Sequence, residues 1–455
     1  MTLDQIFHTK STENGDLSFN TIGDAMLDIL FLTEYYQKHE TEIPIIGNSP
    51  EAKLFAKFMR DPRYGMGKRD IGRILMSITD CSNEEILKCG RADDIWKVPA
   101  YKMLLGLCSH DEFRENLRDA LNFLRLEILK GNELVKKWMP RYSSKDMLIA
   151  REFAAFYNMN KQQYGKFIKC NTVENKLSRK NYDEIEFDKL PSLAAIKYAA
   201  AFNNNPEMHD RYQQYLEDVR AGKKDLKVST TTVYDIYKNR DKIDADLFFD
   251  KLEKISGSWI PIVDTSGSMF DNNDSFGKAV SVGHYLAKCS TYCPNKVISF
   301  SSNPQLITLG EMPNKSRTAW YYDANNDNNS QYQKEINSMY TGDCSNTNFG
   351  KVMDLLANLS GDMPEYLIVL SDMEFDAGSS MSKDKTMKLF KSKGYNTKII
   401  WWNFNSRNIT CPEMDSDGNI FISGYNPMLL KYLAVGFDGK KFLTKLLEEY
   451  EKNIE

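Results

Sequence analysis

The sequence lacks the apolar segments that membrane insertion and export require. Among its 455 residues, no apolar run approaches the roughly 18 residues of a membrane-spanning helix. The first residues, MTLDQIFHTKSTENGD, contain no signal-peptide core. We therefore predict neither export nor membrane spanning.

Clusters of cysteine and histidine suited to zinc are also missing. The 8 cysteines are scattered without C-x-x-C spacing, and the sequence has only 5 histidines. A structural zinc site needs four such ligands, so buried thiols are expected instead. Free thiols indicate a reducing compartment, and we predict a cytoplasmic protein.

The composition is that of a soluble globular protein, but its charge is unevenly distributed. Hydrophobic residues make up 42% and charged residues 27%, and the length suits two or three domains. Residues 51–200 contain 28 basic and 21 acidic residues, a net charge of +7, within a chain of net charge −4. This basic block is a candidate footprint for nucleic acid, although a solvated helical surface would have the same composition.

The sequence pattern predicts two domains with different architectures. From Thr21 to about Phe248, apolar residues recur every three or four positions, which predicts an all-helical domain over residues 1–250. Residues 203–258 are more polar, and we expect them to bridge the two domains. Residues 251–455 alternate short apolar strands with helical patterns, which predicts an α/β domain with a doubly wound, mostly parallel sheet.

Three polar loops of the second domain are predicted to converge on one edge of that sheet. The strand WIPIV ends in Asp264, which is followed by Ser266 and Ser268, and the strand YLIVLS ends in Asp372. Thr347 lies in a loop before a helical pattern. Ligands of α/β sheets bind outside the carboxyl ends of the strands, and oxygen ligands suit a hard cation such as Mg²⁺.

The order D-x-S-x-S, then Thr, then Asp resembles the metal-ion-dependent adhesion site of von Willebrand factor A domains. The resemblance implies that five residues hold Mg²⁺ or Mn²⁺ directly or through water, and that a carboxylate of a protein ligand completes the shell. These residues are Asp264, Ser266, Ser268, Thr347 and Asp372. The alternative is that they are turn residues that cap the following helices.

Two clusters in the basic block combine cations with glycine or aromatic residues. The first is RDPRYGMGKRDIGR, from Arg60 to Arg73, and the second surrounds KWMPR. Arginine side chains suit phosphates, and aromatic faces suit single-stranded RNA. Alternatively, the first cluster joins two helices and pairs with its own aspartates, and the tryptophan of the second belongs to the core. The predicted RNA-binding residues are Arg60, Arg63, Lys68, Arg69, Lys137 and Arg141.

Four segments carry a second resemblance: RDPRYGMGKRD, KWMPR, LPSLAAIKYAAAF and RYQQYLEDVRAGKKDL. They resemble the N-terminal region of poorly characterised proteins in which a helical region precedes a von Willebrand factor A domain. That family is similar to the Ro autoantigen and its bacterial relatives, the TROVE-type proteins, whose helical-repeat ring binds small non-coding and misfolded RNAs. The resemblance implies binding of small or structured RNA.

These observations predict a Ro-like RNA-binding protein, not an enzyme, with a Mg²⁺-dependent protein-interaction domain. The alternative is a metal-dependent assembly or adhesion module that does not bind RNA. A Mg²⁺-dependent ATPase or phosphotransferase is disfavoured because the sequence has no G-x-x-x-x-G-K-[ST] loop. In addition, no lysine or histidine follows the loop at Asp264 closely enough to act as acid or base.

Overall fold

A seven-stranded, mostly parallel sheet and an array of helices make up the chain. This computed structural model describes residues 9–11, 17–19, 24–300, 303–311, 330–340, 348–358, 362–372, 387–388, 390–405, 413–414 and 418–454. The fold class agrees with the prediction of a helical region followed by an α/β region. None of the helices in these ranges is long and apolar enough to cross a bilayer.

The chain divides into two compact units. The sheet unit comprises Met1–Glu34 and Thr231–Phe442, and the helical unit comprises Tyr35–Thr230 and Leu443–Glu455. The boundary along the chain therefore lies at Thr230, earlier than the predicted residue 250. The first residues of the chain, up to Glu34, therefore share a unit with Thr231–Phe442. The last residues, from Leu443, share a unit with Tyr35–Thr230.

The helical unit is built from short helices with well-formed ends. Ser49 caps the helix that begins at Pro50 by accepting a hydrogen bond from the amide of Ala52. Ser109 and Glu112 form a capping box on the helix that begins at His110. The helices are α2 (Thr33–Tyr36, at the boundary), α3 (Pro50–Arg60), α4 (Arg69–Ile78), α5 (Asn83–Cys89), α6 (Asp94–Leu104), α7 (His110–Leu129), α8 (Glu133–Trp138), α9 (Met147–Phe156), α10 (Lys161–Phe167), α11 (Val173–Ser178), α12 (Ser192–Asn204) and α13 (Pro206–Arg220).

The sheet unit contains the remaining elements. Its strands are β1 (Thr9–Ser11), β2 (Leu17–Phe19), β3 (Trp259–Asp264), β4 (Lys296–Phe300), β5 (Gln305–Thr308), β6 (Tyr366–Ser371), β7 (Lys398–Asn403), β8 (Glu413–Met414) and β9 (Ile420–Ser423). Its helices are α1 (Ala25–Phe31), α14 (Val233–Asn239), α15 (Ala245–Lys251), α16 (Ser275–Cys289), α17 (Gln331–Ser338), α18 (Phe349–Ala357) and α19 (Met428–Ala434). The last helix, α20 (Gly439–Ile454), begins in the sheet unit and continues in the helical unit.

The main sheet has the strand order β5-β4-β3-β6-β7-β9-β8. The pairs among β4, β3, β6, β7 and β9 are parallel, whereas the edge strands β5 and β8 pair antiparallel. The strands β3 and β6 lie where the sequence predicted them. The sequence analysis did not predict β8, β9 or α19.

Helices cover both faces of the sheet. Ile260 and Ile262 of β3 share a buried cluster with Val352 of α18. Val263, whose side chain points to the opposite face, lies against Gly283 of α16, where an added Cβ would come within 2.5 Å of its Cγ2. The close approach of α16 to the sheet therefore requires glycine at this position.

The polar segment 203–258, which we predicted to bridge the domains, is largely helical. It contains α13, α14 and α15, and the chain boundary between the units falls within it. This helical structure agrees with the helical periodicity predicted up to about Phe248, and the polar composition is explained by the exposed face of α13. Tyr212, Tyr215 and Leu216 of α13 are buried, while most of their neighbours are exposed.

Candidate functional site

The structure places Asp264 and Asp372 at neighbouring strand ends. Strands β3 and β6 pair in parallel with Val263 opposite Leu370, so Asp264 lies beside Ser371, and Asp372 follows one residue later at the same carboxyl edge. From β3 the chain continues to β4 on one side and later returns to β6 on the other. This is the topological switch point of the sheet, where diverging connections leave a crevice for ligands.

Hydrogen bonds fix the Asp264 carboxylate. Its Oδ1 accepts a hydrogen bond from the amide of Ser266 at 2.9 Å, and its Oδ2 accepts one from the Ser371 hydroxyl at 2.6 Å. The hydroxyls of Ser266 and Ser268 are 3.1 Å apart. Asp264 is fully buried, whereas Ser268 is exposed, so the cluster extends from the end of the sheet to the surface.

Ser371 is a residue of the candidate site that the sequence analysis missed. Its position directly before Asp372 in YLIVLSD was visible, but residues on a strand alternate between faces, so its direction was not. The structure shows that this hydroxyl binds Asp264 across the two strands.

The electrostatics of the cluster favour a cation. Burial raises the pKa of Asp264 to about 6 against the hydrogen bonds from Ser371 and Ser266, and the nearby Asp372 carboxylate adds to the increase. Asp372 is itself only 3% exposed. Two buried carboxylates beside two hydroxyls form a hard-oxygen donor set, which fits Mg²⁺ or Mn²⁺.

The fifth predicted ligand, Thr347, lies outside the described residues. Within them, no group of three or more histidine, cysteine, aspartate or glutamate residues suited to a metal occurs. The candidate site does not depend on such a group, because it combines only two carboxylates with hydroxyls.

The structure corrects one residue of the predicted RNA-binding set. Arg60 is 1% exposed, and its guanidinium pairs with Asp94 at 2.6 Å. The same aspartate pairs with Arg73, also at 2.6 Å. Arg60 therefore belongs to a buried ion-pair network and is not presented to a ligand.

The other predicted cations differ in whether they form ion pairs and in how exposed they are. The Arg63 side chain is 51% exposed and pairs with Asp61 at 3.3 Å, as the alternative interpretation of this cluster expected. Lys137 pairs with Glu174 at 3.2 Å. Lys68 is half-buried, and Arg69 and Arg141 are exposed.

Arg141 lines a surface pocket that the sequence analysis did not identify. The pocket has a volume of about 240 Å³ and brings Arg141 and Tyr142 together with Lys161, twenty residues later. The ammonium of Lys161 lies 5.9 Å from the centroid of the Tyr142 ring. The lining residues are Arg141, Tyr142, Ser143, Lys161, Tyr164, Gly165 and Ile168.

Comparisons with known proteins give two domains of unknown function, an uncharacterised relative and, among solved structures, a distant likeness. Residues 258–452 match a family described as Domain of unknown function (DUF7788), and residues 150–260 match Domain of unknown function (DUF2828). Uncharacterized protein L728 of Acanthamoeba polyphaga mimivirus is 23% identical, over 97% of this chain and 88% of the relative. The crystal structure of the Deinococcus radiodurans Ro (RSR) protein aligns with a TM-score of 0.36 and 11% identity, covering 96% of this chain and 95% of that one.

Proposed function

We propose that this chain is a non-enzymatic binding protein whose sheet unit holds Mg²⁺ or Mn²⁺ and, through it, a carboxylate of a protein ligand. The observation that carries this proposal is the position of Asp264 and Asp372 at the ends of neighbouring strands at the topological switch point, with the hydroxyls of Ser266 and Ser268 following Asp264. The resemblance to the metal-ion-dependent adhesion site adds Thr347 to the same set.

The residues of the chain have different roles at this site. Asp264 and Asp372 supply negative charge, and Ser266 and Ser268 supply neutral oxygens. The amide of Ser266 and the hydroxyl of Ser371 orient the Asp264 carboxylate. The cation, when bound, attracts an external carboxylate, because these protein ligands are too few to complete an octahedral shell.

Calorimetric titration of Mg²⁺ and Mn²⁺ into the full chain tests the metal site. Asp264→Asn should abolish binding while the thermal midpoint without metal is retained or raised, because it removes one of two buried like charges. Glu365→Gln is a matched control, since it removes an exposed carboxylate beside the first residue of β6, at the opposite edge of the same sheet. Undiminished binding to Asp264→Asn would refute the site.

The protein-ligand part of the proposal is tested by chelation. Protein ligands retained by the immobilised chain should be released by EDTA and should return with Mg²⁺ or Mn²⁺. Immobilised Asp264→Asn should retain none of them, whereas Glu365→Gln should behave as wild type. Retention that is indifferent to chelation would count against metal-dependent binding.

A second proposed function is RNA binding by the helical unit. It is supported by the pocket in which Arg141 and Lys161 lie beside Tyr142, within a block of net charge +7. If cations contact phosphates, log affinity should fall with log salt by about 0.7 per contact for a single strand.

The predicted cations Arg63, Lys68 and Arg69 can be tested together. Their triple alanine variant should weaken RNA binding at low salt and reduce the salt slope by about 2. A matched triple variant of the exposed Arg114, Arg118 and Arg151 should change the slope less. If the wild-type chain binds no RNA at low ionic strength, the alternative of an assembly module without RNA binding is favoured.

A further inference from the structure

We propose that the pocket beside Arg141 holds one nucleotide of single-stranded RNA, with its phosphate on Arg141 and Lys161 and its base against Tyr142. This inference rests on the proposed RNA binding of the helical unit and gives it a defined subsite. It adds Lys161 and Gly165 to the residues that the sequence selected.

The charges of the pocket suit a phosphate. Its cations are Arg141 and Lys161, and none of its seven lining residues is acidic. In the described part of the chain, neither cation forms an ion pair with a carboxylate, whereas Arg63 and Lys137 do. The Arg141 guanidinium lies 4.0 Å from the Cys170 sulfur. A phosphate can therefore bind both cations without displacing an internal carboxylate.

The floor of the pocket is rigid and largely apolar. Tyr164 and Ile168 are each 1% exposed, and the Tyr164 hydroxyl donates a hydrogen bond to the carbonyl of Pro140 at 2.7 Å. The rings of Tyr142 and Tyr164 meet edge to face with centroids 5.6 Å apart. Tyr142 is thus held by its neighbour while remaining part of the pocket wall, as required of a stacking platform.

The size and composition favour a nucleotide over a larger ligand or an acidic peptide. A volume of about 240 Å³ is below the roughly 300–1,000 Å³ of pockets for drug-sized ligands. The acidic side chains of a peptide would use the cations but present no aromatic ring to Tyr142. A single-stranded nucleotide uses both, because its base is free to leave the stack, whereas a base within a duplex is not.

Gly165 allows the pocket to be filled without removing a charge. It lies in α10, and an added Cβ would meet no other atom within 4 Å. Methionine is a good helix former, so Gly165→Met should retain or raise the thermal midpoint while its side chain occupies the pocket. Gly165→Ala should stabilise the helix in the same way but fill little of the pocket. The two variants therefore differ mainly in how much of the pocket volume they fill.

The test is fluorescence anisotropy of a labelled single-stranded RNA of mixed sequence with the full-length variants at low salt. Gly165→Met should weaken binding about tenfold or more, as expected for loss of a stacked base, and Gly165→Ala much less. Arg141→Ala with Lys161→Ala should weaken binding and reduce the salt slope by about 0.7, because both cations contact one phosphate. Lys166→Ala with Lys169→Ala, which removes two nearby exposed cations outside the pocket, should have a smaller effect.

The outcomes separate this inference from the proposed RNA binding. If the wild type binds RNA and Gly165→Met binds it equally well, the subsite is refuted and RNA binding stands. If Gly165→Met loses affinity for adenosine monophosphate but not for RNA, the pocket serves a free nucleotide and the inference fails. If the wild type binds no RNA, the proposed function fails first.

Discussion

At the scale of single residues, the Ser371 hydroxyl orients the Asp264 carboxylate. It bonds Asp264 Oδ2 at 2.6 Å from the neighbouring strand. Groups that orient a metal ligand in this way typically change metal affinity 10- to 100-fold when they are removed. Ser371 is thus a positioning residue for the proposed site.

We therefore expect Ser371→Ala to weaken Mg²⁺ binding about tenfold or more without abolishing it, in contrast to Asp264→Asn. Calorimetric titration of the two variants measures this difference. Ser371→Thr retains the hydroxyl and should recover part of the affinity. Equal affinities of Ser371→Ala and wild type would show that Asp264 needs no such support.

Arg60 illustrates the opposite case, a predicted ligand-binding residue that is structural. Its guanidinium is buried against the fully buried Asp94, and Gly72 leaves room for its side chain. Breaking a buried ion pair leaves an uncompensated charge, which typically destabilises a protein by about 3–5 kcal/mol.

Arg60→Met should accordingly lower the free energy of unfolding of the helical unit by about 3 kcal/mol, the lower end of that range because Arg73 still pairs with Asp94. The exposed Arg69 provides the control, since Arg69→Met should change stability by about 0.5 kcal/mol or less. Urea denaturation measures both. An Arg60→Met variant of normal stability but reduced RNA affinity would contradict the structural role.

At the scale of elements, α16 and α17 are joined by a buried ionic cluster. Glu335 of α17 accepts a hydrogen bond from His284 Nε2 at 2.7 Å and pairs with Lys288 at 2.9 Å. Burial acts to raise the pKa of Glu335, but the hydrogen bonds from His284 and Lys288 outweigh it and lower the pKa to about 2. Burial lowers the pKa of His284, so its neutral form is the one accommodated.

Both shifts have the same consequence for stability. A carboxyl whose pKa falls on folding stabilises the fold above its unfolded value of 4.5, and this contribution is lost as the pH falls toward about 2. A histidine whose pKa falls on folding likewise destabilises the fold once the pH drops below its unfolded value of 6.5.

We expect the free energy of unfolding of the sheet unit to decrease steadily below about pH 6.5. The Glu335 part should amount to at most about 3 kcal/mol. Glu335→Gln should reduce the part of the loss between pH 4.5 and 2 that comes from the carboxylate. The loss between pH 6.5 and 4.5, which belongs to His284, should persist or grow, because Glu335 no longer opposes the burial that lowers the pKa of His284. Thermal denaturation across this range measures both parts. Identical profiles for the two proteins would contradict the assignment.

At the scale of the whole molecule, the last helix, α20, is divided between the two units. Leu443–Glu455 belongs to the helical unit, although the preceding residues belong to the sheet unit. Tyr450 is buried there, with its ring 5.5 Å from Phe58 and its hydroxyl donating a hydrogen bond to Asp61 at 3.2 Å. The helical unit is thus completed by residues that are far away in sequence.

Truncation after Phe442 should therefore destabilise the helical unit selectively, because it removes Tyr450 from a closely packed site. The transition stabilised by Mg²⁺, which reports the sheet unit, should remain. Scanning calorimetry with and without Mg²⁺ measures both. The milder Tyr450→Phe, which removes only the hydrogen bond to Asp61, should cost about 1 kcal/mol. An unchanged thermogram of the truncated chain would contradict the role of this segment.

The sequence by itself determined the features that depend on local pattern. Short apolar runs ending in Asp264 and Asp372 specified buried parallel strands and placed both carboxylates at one edge, because parallel strands share a carboxyl edge. Periodicity also predicted the helical character of the chain from Thr21 to about Phe248. These signals are local because side-chain period and turn residues depend on the backbone of the segment itself.

The tertiary structure alone decided which residues meet across long separations. The burial of Arg60 on Asp94, the bond from Ser371 to Asp264, and the pocket that joins Arg141 to Lys161 all involve residues at least twenty positions apart. The same holds for the assignment of Leu443–Glu455 to the helical unit. Composition gives an arginine the same charge whether it faces a solvent-exposed pocket or a buried aspartate, and only the packing of distant helices determines which of these environments it has.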